Sequence, residues 1–457
     1  GPEFIRMVKL VIGEDKFYSA LQKYHEKYSN SNAKTQDWIN TMEKETGISI
    51  SKMADAWLNQ TGYPIVKINT KFDEENKKAT IEIEQTGFEK DKHWEFPFSY
   101  AIFDKEGNKV FENIEIVKDQ KATFIVDNVK SIGFFSFNRE LSFYGKIEYG
   151  ATENELLLQI ENDDDVIAKY LALYSVIEKE RMVALKEKNF AVDEKVVDIY
   201  YKLLSNEDLM EKLGTEIISI PGGVEDKYLR HYYEELYTIG KDLRKRIATK
   251  YEKELLDIYK KTNDKKFEGE YVEKSFKEIK NRSVKNSCLG ILSELETNKV
   301  NDLILKQYRG ADNQTDKLVA FALYNDSNAK NRLDILEEFE KESIGNPVQW
   351  EQFLSLVSRG DAKDTLAQVK RIKASNTFNI TQSNDQRALL MGFAMNKRKS
   401  LLTKEGLEFF KETTIELAKL NEYTTNHLLS VFEELEYMKE EELADYVKVL
   451  IEVRKEL

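Results

Sequence analysis

SIGFFSFNRELSFYGKIEYGATENELL, residues 131–157, is the stretch on which the reading of this chain turns. Residues 134–137 have the length and aromatic content of a strand, Asn138-Arg139 reads as a turn, and 143–149 as a second extended run. Ala151-Thr152-Glu153-Asn154-Glu155 then opens a helix: Thr152 supplies a capping hydroxyl, and Glu153 and Glu155 lie near the positive end of the helix dipole. Upstream of this junction, apolar and polar residues alternate in short runs. Downstream, apolar residues recur at helical spacing to the end of the chain.

Working back from the junction, residues 64–150 read as β. Ala79-Thr80-Ile81-Glu82-Ile83-Glu84 alternates strictly, as a half-buried strand must. Asp73-Glu74-Glu75-Asn76 and Asp104-Lys105-Glu106-Gly107-Asn108 read as turns, and about seven short strands at this spacing predict an antiparallel two-layer sandwich. Before Gly62-Tyr63-Pro64 the pattern is helical over 5–60. Thr35 is the expected cap of a helix over 36–46 that Gly47 stops, with Trp38, Ile39 and Met42 on one face. Gly1-Pro2-Glu3-Phe4 reads as the remnant of a cleaved tag and Ile5 starts in mid-helix, so a piece of a longer polypeptide is expected. Working forward, 151–457 predicts helix after helix, including 166–188, one long helix over 227–262, 270–295, 386–395, 424–435 and 440–455. Connectors such as Ile220-Pro221-Gly222-Gly223 separate them. No fixed period recurs, so the expectation is a large irregular, solenoid-like array.

Composition narrows the function. The 457 residues carry a formal net charge of −13, which leaves no excess of cations for neutralising phosphates and argues against general nucleic-acid binding. Mean hydropathy is −0.57, and no apolar run approaches the ~20 residues of a membrane span. The single cysteine, Cys288, excludes an internal disulfide and suits a reducing, cytoplasmic setting.

Motifs for chemistry are scarce. The histidines are His25, His93, His231 and His427, and no two stand four apart, as two zinc ligands on one helical face require. His25-Glu26-Lys27-Tyr28-Ser29 is half of an HExxH motif, with Ser29 in place of the second ligand, and reads as a surface helix. Pro221-Gly222-Gly223-Val224 lacks the Lys-Ser/Thr of a phosphate loop and reads as a connector. Asp163-Asp164-Asp165 lacks the Gly and spaced ligands of a calcium loop and reads as a solvated helix start. Cys288 reads as core. These residues alone describe a folded, mostly α protein that is not catalytic by itself.

Several strings, in order, add a resemblance. Ile5-Arg6-Met7 with Ile12-Gly13-Glu14-Asp15-Lys16-Phe17, then Trp57-Leu58-Asn59-Gln60-Thr61-Gly62-Tyr63-Pro64, Leu141-Ser142-Phe143 and Lys146-Ile147-Glu148-Tyr149 come first. Asn286-Ser287-Cys288-Leu289, Lys306-Gln307-Tyr308, Ala311-Asp312-Asn313-Gln314-Thr315-Asp316 and Arg387-Ala388-Leu389-Leu390-Met391-Gly392-Phe393 follow. From Ile5 onward the sequence resembles the C-terminal half of the bacterial aminopeptidase N family, alanyl aminopeptidases of the zinc gluzincin class. The resemblance implies the terminal helices of a catalytic domain over 5–63, a β-sandwich over 64–150 and a helical domain over 151–457. It also implies a parent that removes N-terminal residues from peptide substrates with zinc.

The family's HExxH helix, further Glu ligand, amine-holding loop and catalytic Tyr would all precede Ile5. The fragment is therefore expected to bind no zinc, to be inactive alone, and to pack on a catalytic domain outside this chain. In the family the helical domain covers the active-site chamber and controls access. By position, Arg387 resembles a family arginine that lines the substrate channel. His427 stands where the family has a second arginine, and a neutral imidazole cannot make a bidentate carboxylate contact. The plain alternative is that both are ordinary helix-surface residues. For the chain as a whole, the alternative is a protein-interaction scaffold without peptidase activity in the parent.

Overall fold

The computed structural model describes residues 1–89, 92–187, 191–219, 224 and 226–456. They form two compact units, 1–176 and 177–457.

In the first unit, helices Pro2–Ile12, Glu14–Tyr28, Thr35–Thr46 and Ser51–Leu58 precede seven described strands: β1 Ile65–Asp73, β2 Lys78–Thr86, β3 Phe96–Phe103, β4 Lys109–Val117, β5 Lys121–Val126, β6 Phe134–Phe137 and β7 Lys146–Tyr149. One sheet runs β5-β2-β1-β7 and the other β4-β3-β6. The alternation in β2 buries Ala79, Ile81, Ile83 and Gln85, as its pattern requires. Gln85 is fully buried because its amide is used up: Nε2 donates to the carbonyls of Trp94 and Asp119, and Oε1 accepts from the Trp94 N–H. β3 is buried along its whole length, and the first helix packs against it. Helices and sandwich thus share one core, with Met7, Met42, Trp94 and Phe98 in it.

Two local expectations change. β7 pairs parallel to β1, so the sandwich is antiparallel in every pairing but this one. After β6 the chain crosses to the other sheet and enters beside the start of β1, where the Lys146 N–H donates to the Pro64 carbonyl at 3.0 Å. The helix start at residue 35 is capped by Asp37, whose carboxylate accepts from the Lys34 N–H at 2.8 Å, and not by Thr35. Gly47 does stop that helix, in the left-handed conformation at φ 73°.

The largest correction concerns Asp163-Asp164-Asp165. Asp163 and Asp165 are buried, not solvated. The reason is Arg139, itself 5% exposed. Its guanidinium donates to Asp163 at 2.7 Å, to Asp164 at 2.5 Å, to Glu112 of β4 at 2.9 Å and to the Ser136 hydroxyl at 3.1 Å. The turn that presents Arg139 has positive φ at Asn138, Glu140 and Leu141. Asn tolerates that region; Glu and Leu there cost roughly 1 kcal/mol or more each. The Asn138 side chain offsets this by bonding both the N–H and the carbonyl of Phe143. The Glu140 N–H donates to Asp165 at 2.8 Å, and Arg6 donates to the Glu140 carbonyl at 2.8 Å. Ahead of the aspartates, Thr152 caps helix Glu153–Asn162 as expected, and Glu155 completes a capping box with it. From that helix, Leu158 packs on Phe103 and Phe134, whose rings stack at 4.4 Å.

The second unit is helical. Its described helices include Glu194–Ser205, Tyr233–Lys250, Glu252–Asp264, Tyr271–Ser293, Asn298–Gly310, Gln314–Asp326, Arg332–Ser343, Pro347–Arg359, Lys404–Ala418 and Glu440–Glu456. The helix expected over 227–262 is broken: a short 3-10 turn Lys227–Leu229 comes first, and Tyr251 at φ −122° separates the two helices that follow. The Ile220-Pro221-Gly222-Gly223 connector lies outside the described residues. Among those described, no helix is long and apolar enough to cross a membrane.

Replacing Arg139 with Met keeps the stem and deletes the charge, leaving Asp163 buried and unpaired. The expected loss is about 3–5 kcal/mol, read by thermal or denaturant unfolding; a loss under ~1 kcal/mol would contradict the assignment. The seam is also pH-dependent. Hydrogen bonds from Lys109, with the charge and hydrogen bond of Arg139, outweigh burial and hold Glu112 below its ordinary value. For Asp164, burial pushes upward, but hydrogen bonds from Lys109 and Arg139 prevail and lower it. Depressed carboxylates stabilise above the unfolded value of about 4 and lose that contribution as pH falls through their folded values. Melting temperature should therefore fall on acidification, less steeply in the Arg139→Met variant.

Candidate functional site

The two residues singled out for a channel lie on neighbouring elements of the second unit. Arg387 is in a π-helical segment, Gln386–Met391, which joins the short turn Ser383–Asp385 to Gly392–Met395. π segments inside helices recur at functional sites because the extra residue re-aims side chains. This one is held open by named contacts. The Ala388 carbonyl accepts from the Ser358 hydroxyl at 2.8 Å. Gly392 makes room for that serine, since a Cβ there would stand 2.2 Å from its oxygen. Buried Asp385 accepts from the Asn379 N–H at 2.9 Å.

Gln386 ties the π segment to helix Glu422–Leu429. Its Oε1 accepts from Asn421 and from the Thr424 hydroxyl, both at 2.9 Å, and its Nε2 donates to the Ile380 carbonyl. Arg387 follows Gln386 directly, and His427 stands one turn beyond Thr424. Arg387 has 56% of its side chain exposed and uses one guanidinium nitrogen on Glu351 at 2.7 Å and Asn384 at 3.1 Å. His427 is exposed, with its ring edge-on to Tyr423 at 4.5 Å. No hydrogen bond or ion pair joins Arg387 to His427 among the described residues. The pair therefore offers a solvent-facing guanidinium oriented by one carboxylate, with an imidazole on the adjoining helix. Such a surface can receive an anion but cannot form a two-arginine clamp.

The other candidates separate. Cys288 is fully buried, and burial pushes its thiol up to about 12, so it is core and not a nucleophile. His25 is exposed on its helix and His93 lies against Phe88. His231 is buried within 3.2 Å of Glu442. Among the described residues no three of His, Cys, Asp and Glu gather as a metal would require, so the residues present do not fit the zinc that the resemblance implies.

The strings that carried the resemblance in the helical part do converge. Asp316 is buried and paired with Lys285, and it accepts from Asn286 and Asn313, each at 2.9 Å. Gln307 donates to Asn286 at 2.8 Å and to the Asp316 carbonyl, and accepts from the Tyr259 hydroxyl at 3.0 Å. Burial alone would raise the Asp316 carboxyl; Lys285 and the two amides outweigh it and hold it low. The constellation is a satisfied polar network inside the array. Sequence reasoning missed it, although polar residues on helix faces that otherwise carry apolar ones were its visible signal.

Family models match almost the whole chain. Residues 1–57 match the Peptidase family M1 domain. Residues 62–150 match a domain of unknown function (DUF3458) with an Ig-like fold, and 153–456 a domain of unknown function (DUF3458_C) of ARM repeats. Among curated proteins, the chain is similar to aminopeptidase N of Escherichia coli (strain K12), at 25% identity over 415 residues, 86% of this chain and 47% of that protein. It is also similar to aminopeptidase N of Haemophilus influenzae, at 22% over 459 residues, 94% of this chain and 51% of that protein. Among solved structures it resembles aminopeptidase A of Legionella pneumophila in complex with aspartic acid. The TM-score is 0.84 at 18% identity, over 100% of this chain and 54% of the other; at that identity the likeness is one of fold. The chain spans about half the length of the curated relatives it matches.

The Gln386 tie is testable. Gln386→Leu leaves the Thr424 hydroxyl and the Asn421 amide without their acceptor, and should cost about 1–3 kcal/mol in denaturant unfolding. Amide exchange in residues 422–429 should speed up with it. Unchanged exchange there would mean that the link does not hold the two elements together.

Proposed function

The chain belongs to the DUF3458_C family of ARM-repeat domains, in the domain order of the C-terminal part of M1 aminopeptidases, and on that premise we propose that it is the non-catalytic part of a zinc aminopeptidase, with a helical domain that covers the active-site chamber. The parent removes N-terminal amino acids from peptides. The helical array narrows entry, so that peptides and unfolded ends reach the zinc while folded proteins and bulk water are kept out. The described residues offer no donor set for the metal, so zinc and its chemistry are assigned to the parent's remaining part, on which this chain packs. Lone, buried Cys288 supports a cytoplasmic setting.

The observation that supports the channel reading is the π segment. It is pinned on three sides, yet leaves the Arg387 guanidinium largely in solvent beside the helix that bears His427. In this reading Arg387 steers and holds the carboxylate-bearing end of a longer peptide, and His427 contributes a single hydrogen bond. Neither touches the scissile bond.

In the full-length enzyme, Arg387→Ala should raise KM for tri- and tetrapeptides about tenfold, as loss of one charge-assisted hydrogen bond implies. It should leave single-residue amides nearly unchanged. Equal effects on both substrate classes would remove Arg387 from the channel. The 457-residue chain alone, supplied with zinc, should show no cleavage of amino-acid amides; zinc-dependent turnover would overturn the non-catalytic assignment.

A further inference from the structure

A second site, walled by neither Arg387 nor His427, lies in the helical unit. An open cavity of about 610 Å³ is walled by Tyr237, Lys241, Glu294, Asp326, Arg359 and Arg398, among others. Most of its charges are used up within the wall. Arg244 pairs with Glu294 at 2.7 Å, Lys241 with Glu296 at 3.1 Å, and Arg398 with Asp361 at 2.7 Å. Arg398 also lies over the Tyr237 ring at 3.4 Å, and that tyrosine donates to Asp361 at 2.6 Å.

Two charges are left over, one of each sign. Arg359 is exposed and forms no ion pair or hydrogen bond with a described residue. Asp326 has no cation within ion-pair distance among the described residues. Its Oδ1 is held by the N–H groups of Asp361 at 2.9 Å and Ala362 at 3.2 Å. Gly360 allows that approach, because a Cβ there would stand 2.7 Å from the same oxygen. The carboxylate is thus fixed in place on the cavity wall, and the residue that precedes Gly360 is Arg359. Helix Gln314–Asp326 ends at this wall, and its negative end favours a cation near Asp326.

We propose that this cavity binds a zwitterion, a free amino acid or short unblocked peptide, with its ammonium on Asp326 and its carboxylate on Arg359. A ligand of either single charge would leave one wall charge without a partner, whereas a zwitterion satisfies both. Burial, together with the like charge of Asp361, pushes the Asp326 carboxyl up to about 6 against its two backbone hydrogen bonds and the opposing charge of Lys399. Arg398, Lys241, Glu294 and Glu296 face the same space but are neutralised among themselves or by Asp361. Only the ionised carboxylate holds an ammonium, so affinity falls as pH drops through about 6.

The inference stands on the cavity and needs no peptidase activity, so its failure and that of the chamber reading are separable. The test is calorimetric titration of the 457-residue chain with glycine, diglycine and triglycine at pH 7.5, and with N-acetylated and C-amidated forms of the best binder. Capping either end should weaken binding tenfold or more, and the unblocked ligand should weaken several-fold at pH 5. Asp326→Asn keeps the Oδ1 acceptor for both N–H groups, so it preserves the loop; it should abolish the penalty for acetylation. Arg359→Gln should abolish the penalty for amidation. Equal binding of blocked and unblocked peptides, no binding of any of them, or binding indifferent to both substitutions would overturn the proposal; the blocked peptides decide on the unaltered chain even if a variant misfolds.

Discussion

A guanidinium buried at the edge of a β-sandwich is tolerable only where it is paired and hydrogen-bonded, and Arg139 meets that condition with four residues from three places in the chain. Glu112 comes from β4, Ser136 from β6, and Asp163 and Asp164 from the loop after helix Glu153–Asn162. Removing any of the anions leaves charge in a poorly solvated place. This condition fixes how the first helices after the sandwich leave it. It also accounts for the backbone strain at Glu140 and Leu141, because the turn must aim Arg139 inward while the Glu140 N–H donates to Asp165 and the Glu140 carbonyl accepts from Arg6.

The helical unit uses the same logic at smaller scale. Irregular arrays lack the repeated interface that sets register in a consensus solenoid. Here register is set by buried polar contacts that have one solution each. Asp316 with Lys285, Asn286, Asn313 and Gln307 locks three successive helices, and Gln386 with Asn421 and Thr424 locks the π segment to its neighbour. Apolar packing alone would allow these helices to slide; an amide that loses its partner on sliding does not. The same fixed framework carries charges such as Arg387, Asp326 and Arg359 without using up all of their binding capacity.

The functional reading follows this division of labour. Arg139, Asp163, Asp316 and Gln386 are consumed by structure, and charges left with spare capacity, such as Arg387 and Arg359, face solvent. Asp316, Cys288 and Asp163 look chemically interesting in sequence, but all are closed off. Arg387 is partly open, with one nitrogen on Glu351, and the cavity wall leaves one cation and one anion unsatisfied.

The order of regimes, helices then sandwich then helical array, was legible in the sequence because hydrophobic period is a local property. The capping box at Thr152, the stop at Gly47, the core position of Cys288 and the turn at Asn138-Arg139 were legible for the same reason. The parallel pairing of β7, the break at Tyr251, the π segment at Arg387 and the burial of Asp163 and Asp165 were not. Three of these depend on a partner distant along the chain: Pro64 for β7, Ser358 for the π segment and Arg139 for the aspartates. Three consecutive aspartates by themselves belong in water, and only a guanidinium placed by another element reverses that preference. The sequence by itself determined which elements form; the tertiary structure alone decided which charges are spent inside and which remain free to meet a ligand, because charge satisfaction is a property of neighbours in space.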